Sequence, residues 1–251
     1  MTSSETRRLS IIIPVLHLKR PVNPSRFFVS RYTIKEVLRD LEQHLPASAE
    51  VIVVCNSRDE DLLSLVTSHP RVDKYCLNSA NVGVSRAWNM GAAMAEGEAL
   101  CFLNDDVAVG PGAMEGLLDV LARDGVGQVG PKGARWKGAE HDCFVGEQTI
   151  EEADAISGFL FLIRAGLFRE LGGFDVNYSP AGFEEIDMSC AIRRAGYRCL
   201  VVPGLDVKHY HQHGVSAYRS DIQYLGHTID TVTLHERNKA YFMKKWGIDA
   251  R

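Results

Sequence analysis

The first half of the chain alternates apolar, strand-like runs with helical patterns, and this alternation constrains the fold more than any other feature. The predicted strands occupy residues 9–13, 50–55, 72–77, 99–103 and 127–131. The predicted helices between them occupy residues 31–45, 58–68, 85–95 and 111–121. Such a succession favours a Rossmann-like α/β fold, with a mostly parallel central sheet flanked by helices. Ligands of these sheets bind beyond the carboxyl ends of the strands.

The second half has a different pattern. Residues 132–154 are rich in glycine and charged side chains, and we expect an irregular connection there. Strands are predicted at residues 156–163 and 200–203, and helices at residues 165–171, 184–195 and 230–246. Nothing in the sequence behaves as a free linker. We therefore expect one α/β domain with two halves, residues 1–131 and residues 132–251.

Composition excludes several classes of protein. A formal net charge of -4 gives no sign of nucleic-acid affinity. No apolar run is long enough to cross a bilayer. The apolar stretch before Pro14 is too short for a signal peptide. The six cysteines form no CxxC pair, which fits a reducing compartment. We expect a cytoplasmic protein, at most peripheral at the inner face of a membrane; the sequence does not indicate its oligomeric state.

An acidic cluster directly follows the predicted strand at 99–103. It consists of Asn104, Asp105 and Asp106. Carboxylate oxygens at the carboxyl end of a strand suit Mg²⁺ or Mn²⁺, and such an ion binds the oxygens of a diphosphate. The alternative is that these residues only end the strand, since Asp and Asn are common turn formers.

Two further groups could act with this cluster. His209 and His211 follow the short strand at 200–203, and histidine is a common ligand of Mn²⁺-class ions. Glu184, Glu185 and Asp187 open the helix at 184–195. An acidic first turn is also favoured by the helix dipole alone, so the pattern has a purely structural explanation as well.

The order of these motifs resembles glycosyltransferase family two, a group of inverting, nucleotide-sugar-dependent enzymes with the GT-A fold, and within it the rhamnosyltransferase-like branch. The likeness extends over about residues 9–215. The segments that carry it are residues 10–15, 53–57, 81–91, 102–106, 157–158, 172–175, 184–187 and 193–197.

The resemblance implies a role for each matching position. In the metal site, Asp106 would bind Mn²⁺ or Mg²⁺ with His209, or with His211 as the alternative. The remaining donor-side positions would contact the nucleotide or the sugar. These are Pro14, Val15, Asn56, Ser57, Asn81, Gly83, Arg86, Asn89, Asn104, Asp105 and Gly158. Residues 1–131 would then form the donor-binding half, and residues 132–251 the acceptor-binding and catalytic half.

The resemblance also implies a general base. Family members place a Glu-Asp pair here, with the Asp as base; this chain has Glu184 and Glu185. Glu185 is the expected base, Glu184 would support the acceptor, and Asp187 is the fallback base. Cys55 and Asn104 are two further departures, because each replaces an acidic residue of the family pattern.

The implied activity is metal-dependent, inverting transfer of a hexose or deoxyhexose from a UDP-, dTDP- or GDP-sugar. The acceptor would be a glycan, a lipid-linked sugar or a small molecule, as in polysaccharide biosynthesis. A non-catalytic nucleotide-sugar-binding protein is an alternative, because it would explain Glu185 and Cys55. A nucleotidyltransferase is less favoured, since residues 14–17 after the first strand lack the glycines that its phosphate loop needs.

Overall fold

An eight-stranded sheet forms the centre of the computed structural model, which describes residues 9–18, 32–46, 48–210 and 220–248. The strands of the chain are β1 (Leu9–Val15), β2 (Glu50–Cys55), β3 (Lys74–Leu77), β4 (Ala99–Leu103), β5 (Val107–Val109), β6 (Val126–Gly130), β7 (Gly133–Lys137), β8 (Glu140–Val145), β9 (Glu151–Glu152), β10 (Ala155–Ile156), β11 (Leu160–Arg164), β12 (Arg198–Val201), β13 (Val207–His209), β14 (Asp221–Tyr224) and β15 (His227–Asp230). The helices are α1 (Ile34–His44), α2 (Glu60–Ser68), α3 (Val84–Met94), α4 (Ala113–Leu121), α5 (Ala165–Glu170), α6 (Glu184–Arg194) and α7 (Thr231–Trp246).

The strand order of the central sheet is β3-β2-β1-β4-β11-β6-β12-β9. All of these strands run in one direction except β11 and β9, which pair antiparallel with their neighbours. The mostly parallel sheet predicted from the sequence is therefore confirmed. The carboxyl ends of β1, β2 and β4 lie at one edge, where ligands of parallel sheets bind.

Helices cover both faces of this sheet. Alternate side chains of a strand point to opposite faces, so Ile11 and Ile13 pack in one core and Ile12 packs in the other. The first core lies under α1, α2 and α4, and the second under α3, α5 and α6. The near-continuous apolar character of β1, β2 and β4 follows from this burial on both faces.

The prediction that the first strand ends at residue 13, before Pro14, is wrong. β1 continues to Val15 and pairs with β2 along the way. Its other neighbour, β4, pairs with β1 only as far as Ile12. The missing N–H of Pro14 therefore costs no hydrogen bond of the sheet.

Two predictions for the second half are wrong. Residues 132–154 contain the β7–β8 hairpin and β9 rather than an irregular connection. The single strand expected at 156–163 is two strands in different sheets: β10 pairs with β7, whereas β11 pairs with β4 and β6. The chain leaves one sheet and enters the other at residues 157–159.

Two small antiparallel pairs, β5–β13 and β14–β15, complete the described structure. All six cysteines are free thiols. Within the described ranges, no helix has the length and apolar character needed to cross a membrane.

Candidate active site

The acidic cluster lies directly beyond the carboxyl end of β4. Asp105 and Asp106 are buried, with 7% and 1% of their surface exposed. Asn104 is half-buried, and its backbone N–H donates to the carbonyl of Phe159 at 2.9 Å. The cluster is thus held against the segment that links β10 to β11.

The pairing of β13 with β5 brings His209 to this cluster. His209 lies opposite Val107, and the N–H of Tyr210 donates to the carbonyl of Asp106 at 3.1 Å. The imidazole stacks on the ring of Phe159, with centroids 4.7 Å apart. Its Nε2 lies 3.3 Å from the Oδ1 of Asp106. The side chains of Asp106 and His209 therefore lie next to each other.

These two residues fit a divalent ion that shares its coordination with a substrate. Within the described residues, no three His, Cys, Asp or Glu side chains come close enough to form a site made of protein ligands alone. Mg²⁺ is usually bound by one or two carboxylates together with substrate phosphates. In the Asp106–His209 pair the carboxylate suits Mg²⁺ or Mn²⁺, and the imidazole suits a transition metal ion. His211, the alternative ligand, lies outside the described residues.

Gly158 and Phe159 connect this pair to the predicted base. A Cβ atom at Gly158 would lie 3.2 Å from Cγ and 3.3 Å from Cδ of Glu185, which is closer than ordinary van der Waals contact. The absence of a side chain therefore leaves room for that of Glu185. Phe159, the next residue, contacts Asn104 through its carbonyl and His209 through its ring.

The two glutamates begin α6, at its positive end. Glu184 is buried and Glu185 is half-buried. Burial raises the pKa of Glu184 well above its usual range, and the charge of Glu185 raises it further. Burial also raises the pKa of Glu185. The Oε2 of Glu184 is buried and has no hydrogen-bond partner among the described residues.

The residue before them, Phe183, has an unusual backbone conformation. Its φ is 77°, in the left-handed region that residues with a side chain rarely occupy. The buried ring contacts those of Trp136, His235 and Phe242. Its packing holds the strained turn from which the two glutamates project.

Asn238 of α7 fixes the backbone leading to this turn. Its buried Nδ2 lies 2.7 Å from the carbonyl oxygen of Tyr178, 3.0 Å from that of Ala181 and 2.8 Å from that of Gly182. Buried carbonyls need such donors. Asn238 therefore positions the start of α6 from a helix near the end of the chain.

Asp187 has a different environment from the two glutamates. Its Oδ1 accepts hydrogen bonds from the hydroxyl of Tyr178 at 3.0 Å and from Nε1 of Trp246 at 2.8 Å. Its Oδ2 lies 2.8 Å from Nζ of Lys245. Both oxygens thus bind neighbouring side chains and tie α6 to α7. This geometry favours a structural role for Asp187 over the fallback role of base.

Several of the residues predicted to contact the nucleotide or the sugar lie at the ends of β1 and β2. Asn56 is buried, and its N–H donates to the carbonyl of Val15, the residue after Pro14, at 2.8 Å. Its Oδ1 accepts from Asn78 at 3.1 Å, and Ser57 caps the turn before α2 by accepting from Asp59 at 3.1 Å.

Cys55, which precedes this group, replaces an acidic residue of the family pattern. Burial raises the pKa of its thiol to about 12. The position is therefore uncharged at neutral pH, so Cys55 supplies no negative charge where the pattern has a carboxylate.

The β14–β15 hairpin covers the start of α3. Asn81 donates to the carbonyl of Gln223 at 2.9 Å and accepts from the N–H of Gly83 at 2.9 Å. Gly83 has a φ of 84° and lies against Pro180, where a Cβ would come within 2.9 Å of its Cα. The guanidinium of Arg86 hydrogen-bonds the hydroxyl of Tyr224.

Asn89, further along α3, contacts a different part of the chain. Its side-chain amide donates to the carbonyl of Phe174 at 2.8 Å and accepts from the N–H of the same residue at 2.9 Å. Asn89 therefore anchors the loop after α5, with both the nitrogen and the oxygen of its amide bound to Phe174.

Sequence reasoning missed three residues that shape this site: Phe159, Phe183 and Asn238. Only Asn238 left a signal, since it is a polar residue within the helical pattern of residues 230–246. The other two resemble ordinary core residues, because their roles depend on contacts with distant segments.

Comparison with known proteins agrees with this fold. Residues 28–174 match the family model described as glycosyl transferase family 2. Curated protein sequences gave no match. Among solved structures, GalNAc-T7 with UDP, GalNAc and Mn²⁺ has a TM-score of 0.70 at 17% identity, covering 96% of this chain and 48% of its own.

Two further structures have lower TM-scores. The mannosyltransferase PcManGT from Pyrobaculum calidifontis, in complex with GDP-Man and Mn²⁺, has a TM-score of 0.57 at 18% identity and covers 79% of this chain and 55% of its own. S. aureus TarS has a TM-score of 0.58 at 16% identity, and the match covers 78% of this chain and 35% of the TarS chain. The chain thus spans about half or less of the length of these proteins. The likeness establishes the GT-A fold.

Proposed function

Because this chain belongs to glycosyl transferase family 2, we propose that it transfers a sugar from a nucleotide-sugar donor to an acceptor hydroxyl with inversion at the anomeric carbon. One observation carries the proposal. A Cβ atom at Gly158 would lie 3.2 Å from Cγ of Glu185, the candidate base. The adjacent Phe159 stacks on His209, whose Nε2 lies 3.3 Å from Oδ1 of Asp106. The candidate base and the two candidate metal ligands are thus linked by one short segment, residues 158–159.

The donor would lie beyond the carboxyl ends of β1, β2 and β4. Asp106 and His209 would hold Mn²⁺ or Mg²⁺, with His211 as the alternative to His209. When bound, the ion would offset the negative charge of the diphosphate leaving group. Similar structures that contain UDP or GDP-Man together with Mn²⁺ support a nucleotide-sugar donor.

Glu185 would act on the acceptor. Its carboxylate accepts the proton of the acceptor hydroxyl while the oxygen attacks the anomeric carbon and the bond from that carbon to the donor phosphate breaks. Burial raises the pKa of this carboxyl, which strengthens it as a base once ionised. Glu184, whose Oε2 has no partner among the described residues, would bind another acceptor hydroxyl.

The donor-side residues fall into two groups in this proposal. Asn56, Ser57 and Arg86 would contact the nucleotide, and Asn104 the ribose or donor sugar. Asn89 would support the site indirectly through Phe174. The donor sugar would be a hexose or deoxyhexose, as in the rhamnosyltransferase-like branch. Residues 1–131 would supply the donor side, and residues 132–251 the acceptor side.

The test is release of nucleoside diphosphate from UDP-, dTDP- and GDP-sugars with Mn²⁺. We expect release with one donor class, its loss on adding EDTA and its loss in Asp106→Ala. Asp119→Ala is the matched control, because Asp119 is exposed on α4. Donor binding without release in the presence of sugar acceptors would favour a binding protein instead.

A further inference from the structure

A row of aromatic side chains leads from the start of α6 to the exposed surface of the β7–β8 hairpin. The ring centroids of Phe183 and Trp136 are 6.5 Å apart, those of Trp136 and His141 are 5.9 Å apart, and those of His141 and Phe144 are 4.6 Å apart. Phe183 is buried, Trp136 is half-buried and Phe144 is 49% exposed. Exposure therefore increases with distance from α6.

Lys132 links the outer end of this aromatic row to the segment beside the candidate base. Nζ of Lys132 is 3.9 Å from the ring centroid of Phe144. The carbonyl of Lys132 accepts a hydrogen bond from the N–H of Ser157 at 2.9 Å. At the next residue, Gly158, a Cβ atom would lie 3.2 Å from Cγ of Glu185. The row is thus linked to the candidate active site through Phe183, the residue before Glu184, and through Lys132.

Core packing does not explain the outer part of the row. β8 is the edge strand of a three-stranded sheet, and all of its residues except Val145 are exposed. Exposed aromatic side chains that form one contiguous surface commonly mark a binding site. Within the described residues, no carboxylate lies within 4 Å of Nζ of Lys132, so its ammonium is available to hydroxyl groups of a ligand.

We infer that the acceptor is an oligosaccharide, whose sugar rings beyond the reacting residue lie on Trp136, His141 and Phe144. The inference rests on the proposed function. The C–H bonds on one face of a pyranose pack against aromatic rings, while its hydroxyls remain free for polar partners. Lys132 donates to hydroxyls at the outer end of the row.

The experiment compares binding to an array of disaccharides to hexasaccharides and the matching monosaccharide glycosides. We expect the wild type to bind an oligosaccharide more strongly than its monosaccharide. Phe144→Ala removes one aromatic contact and should weaken that binding about 10-fold. Tyr75→Ala is the matched control, because Tyr75 is 46% exposed on β3, at the far edge of the central sheet. It should bind like the wild type.

Three results would overturn the inference: no preference of the wild type for any oligosaccharide, equal binding by wild type and Phe144→Ala, or a dimer that Phe144→Ala dissociates. The last result would identify the row as a protein interface. Thermal shifts with Mn²⁺ and UDP, dTDP or GDP test the proposed function separately. If the protein gives these shifts but shows no preference for any oligosaccharide on the array, only the oligosaccharide inference is overturned.

Discussion

The Nε2 of His209 lies 3.3 Å from the Oδ1 of Asp106, although these residues belong to opposite halves of the chain. The β5–β13 pair produces this contact by placing His209 opposite Val107, the residue after Asp106. The ring of Phe159 fixes the plane of the imidazole. The proposed metal site is therefore assembled by tertiary structure from residues that the sequence keeps far apart.

Glu185→Gln should lower kcat by a factor of about 10² to 10⁴, the usual contribution of a general base. Glutamine keeps the size of the side chain but cannot accept the proton, so donor binding should persist. Steady-state kinetics and donor titration measure the two effects. Glu170→Gln, an exposed residue of α5, is the control and should behave like the wild type. Full kcat in Glu185→Gln would show that another group is the base.

Asp187→Asn should affect stability more than catalysis. The substitution removes the charge that faces Lys245 and weakens the contacts with Tyr178 and Trp246. We expect the free energy of unfolding in urea to fall by about 1–3 kcal/mol. At a temperature where the variant is folded, kcat should stay within a few fold of wild type. A loss as large as that expected for Glu185→Gln would assign the base to Asp187.

Glu184→Gln should stabilise the protein increasingly as pH rises. Folding raises the pKa of Glu184 through burial, so the folded state holds this proton more tightly than the unfolded state does. The wild type therefore loses stability as pH rises from about 4.3, the ordinary value for Glu, through the raised pKa. Glutamine does not titrate and avoids this loss.

Melting temperatures measured from acid to neutral pH test this prediction. The difference in melting temperature, variant minus wild type, should grow with pH. Glu170→Gln should show no such trend. A difference that shrinks as pH rises would mean that Glu184 is stabilised as the carboxylate, contrary to its buried environment.

Asn238→Ala should disturb the candidate active site from α7. It leaves the carbonyls of Tyr178, Ala181 and Gly182 without their shared donor. We expect a loss of about 1–3 kcal/mol in the free energy of unfolding, and a lower kcat with an unchanged donor Kd. Urea denaturation and kinetics provide the measurements, with Glu236→Ala on the exposed side of α7 as control. An unchanged kcat would show that α7 does not position the glutamates.

The sequence predicted the regular elements of the first half because they have long, consistent patterns. β2 occupies residues 50–55 as expected, and α3 is displaced from its predicted position by a single residue at each end. The β7–β8 hairpin had no such pattern: β8 is exposed on both faces, so polar and apolar residues do not alternate along it.

The site was harder to predict than the fold. Motifs indicated Asp106, His209 and Glu185 as candidates, but not the contacts between them, since β5 and β13 have only three residues each. The left-handed backbone of Phe183 was also unpredictable, because such positions usually carry glycine. Its conformation depends on aromatic partners that come from distant parts of the chain.

The most direct test of the metal site is calorimetric titration of UDP, dTDP and GDP into the wild type, Asp106→Ala and Asp119→Ala, with Mn²⁺ and with EDTA. The proposal predicts that the wild type and Asp119→Ala bind one of these nucleotides much more tightly with Mn²⁺. It also predicts that Asp106→Ala loses this dependence. Equal binding with Mn²⁺ and with EDTA, or Mn²⁺-dependent binding by Asp106→Ala at wild-type affinity, would contradict the proposed site.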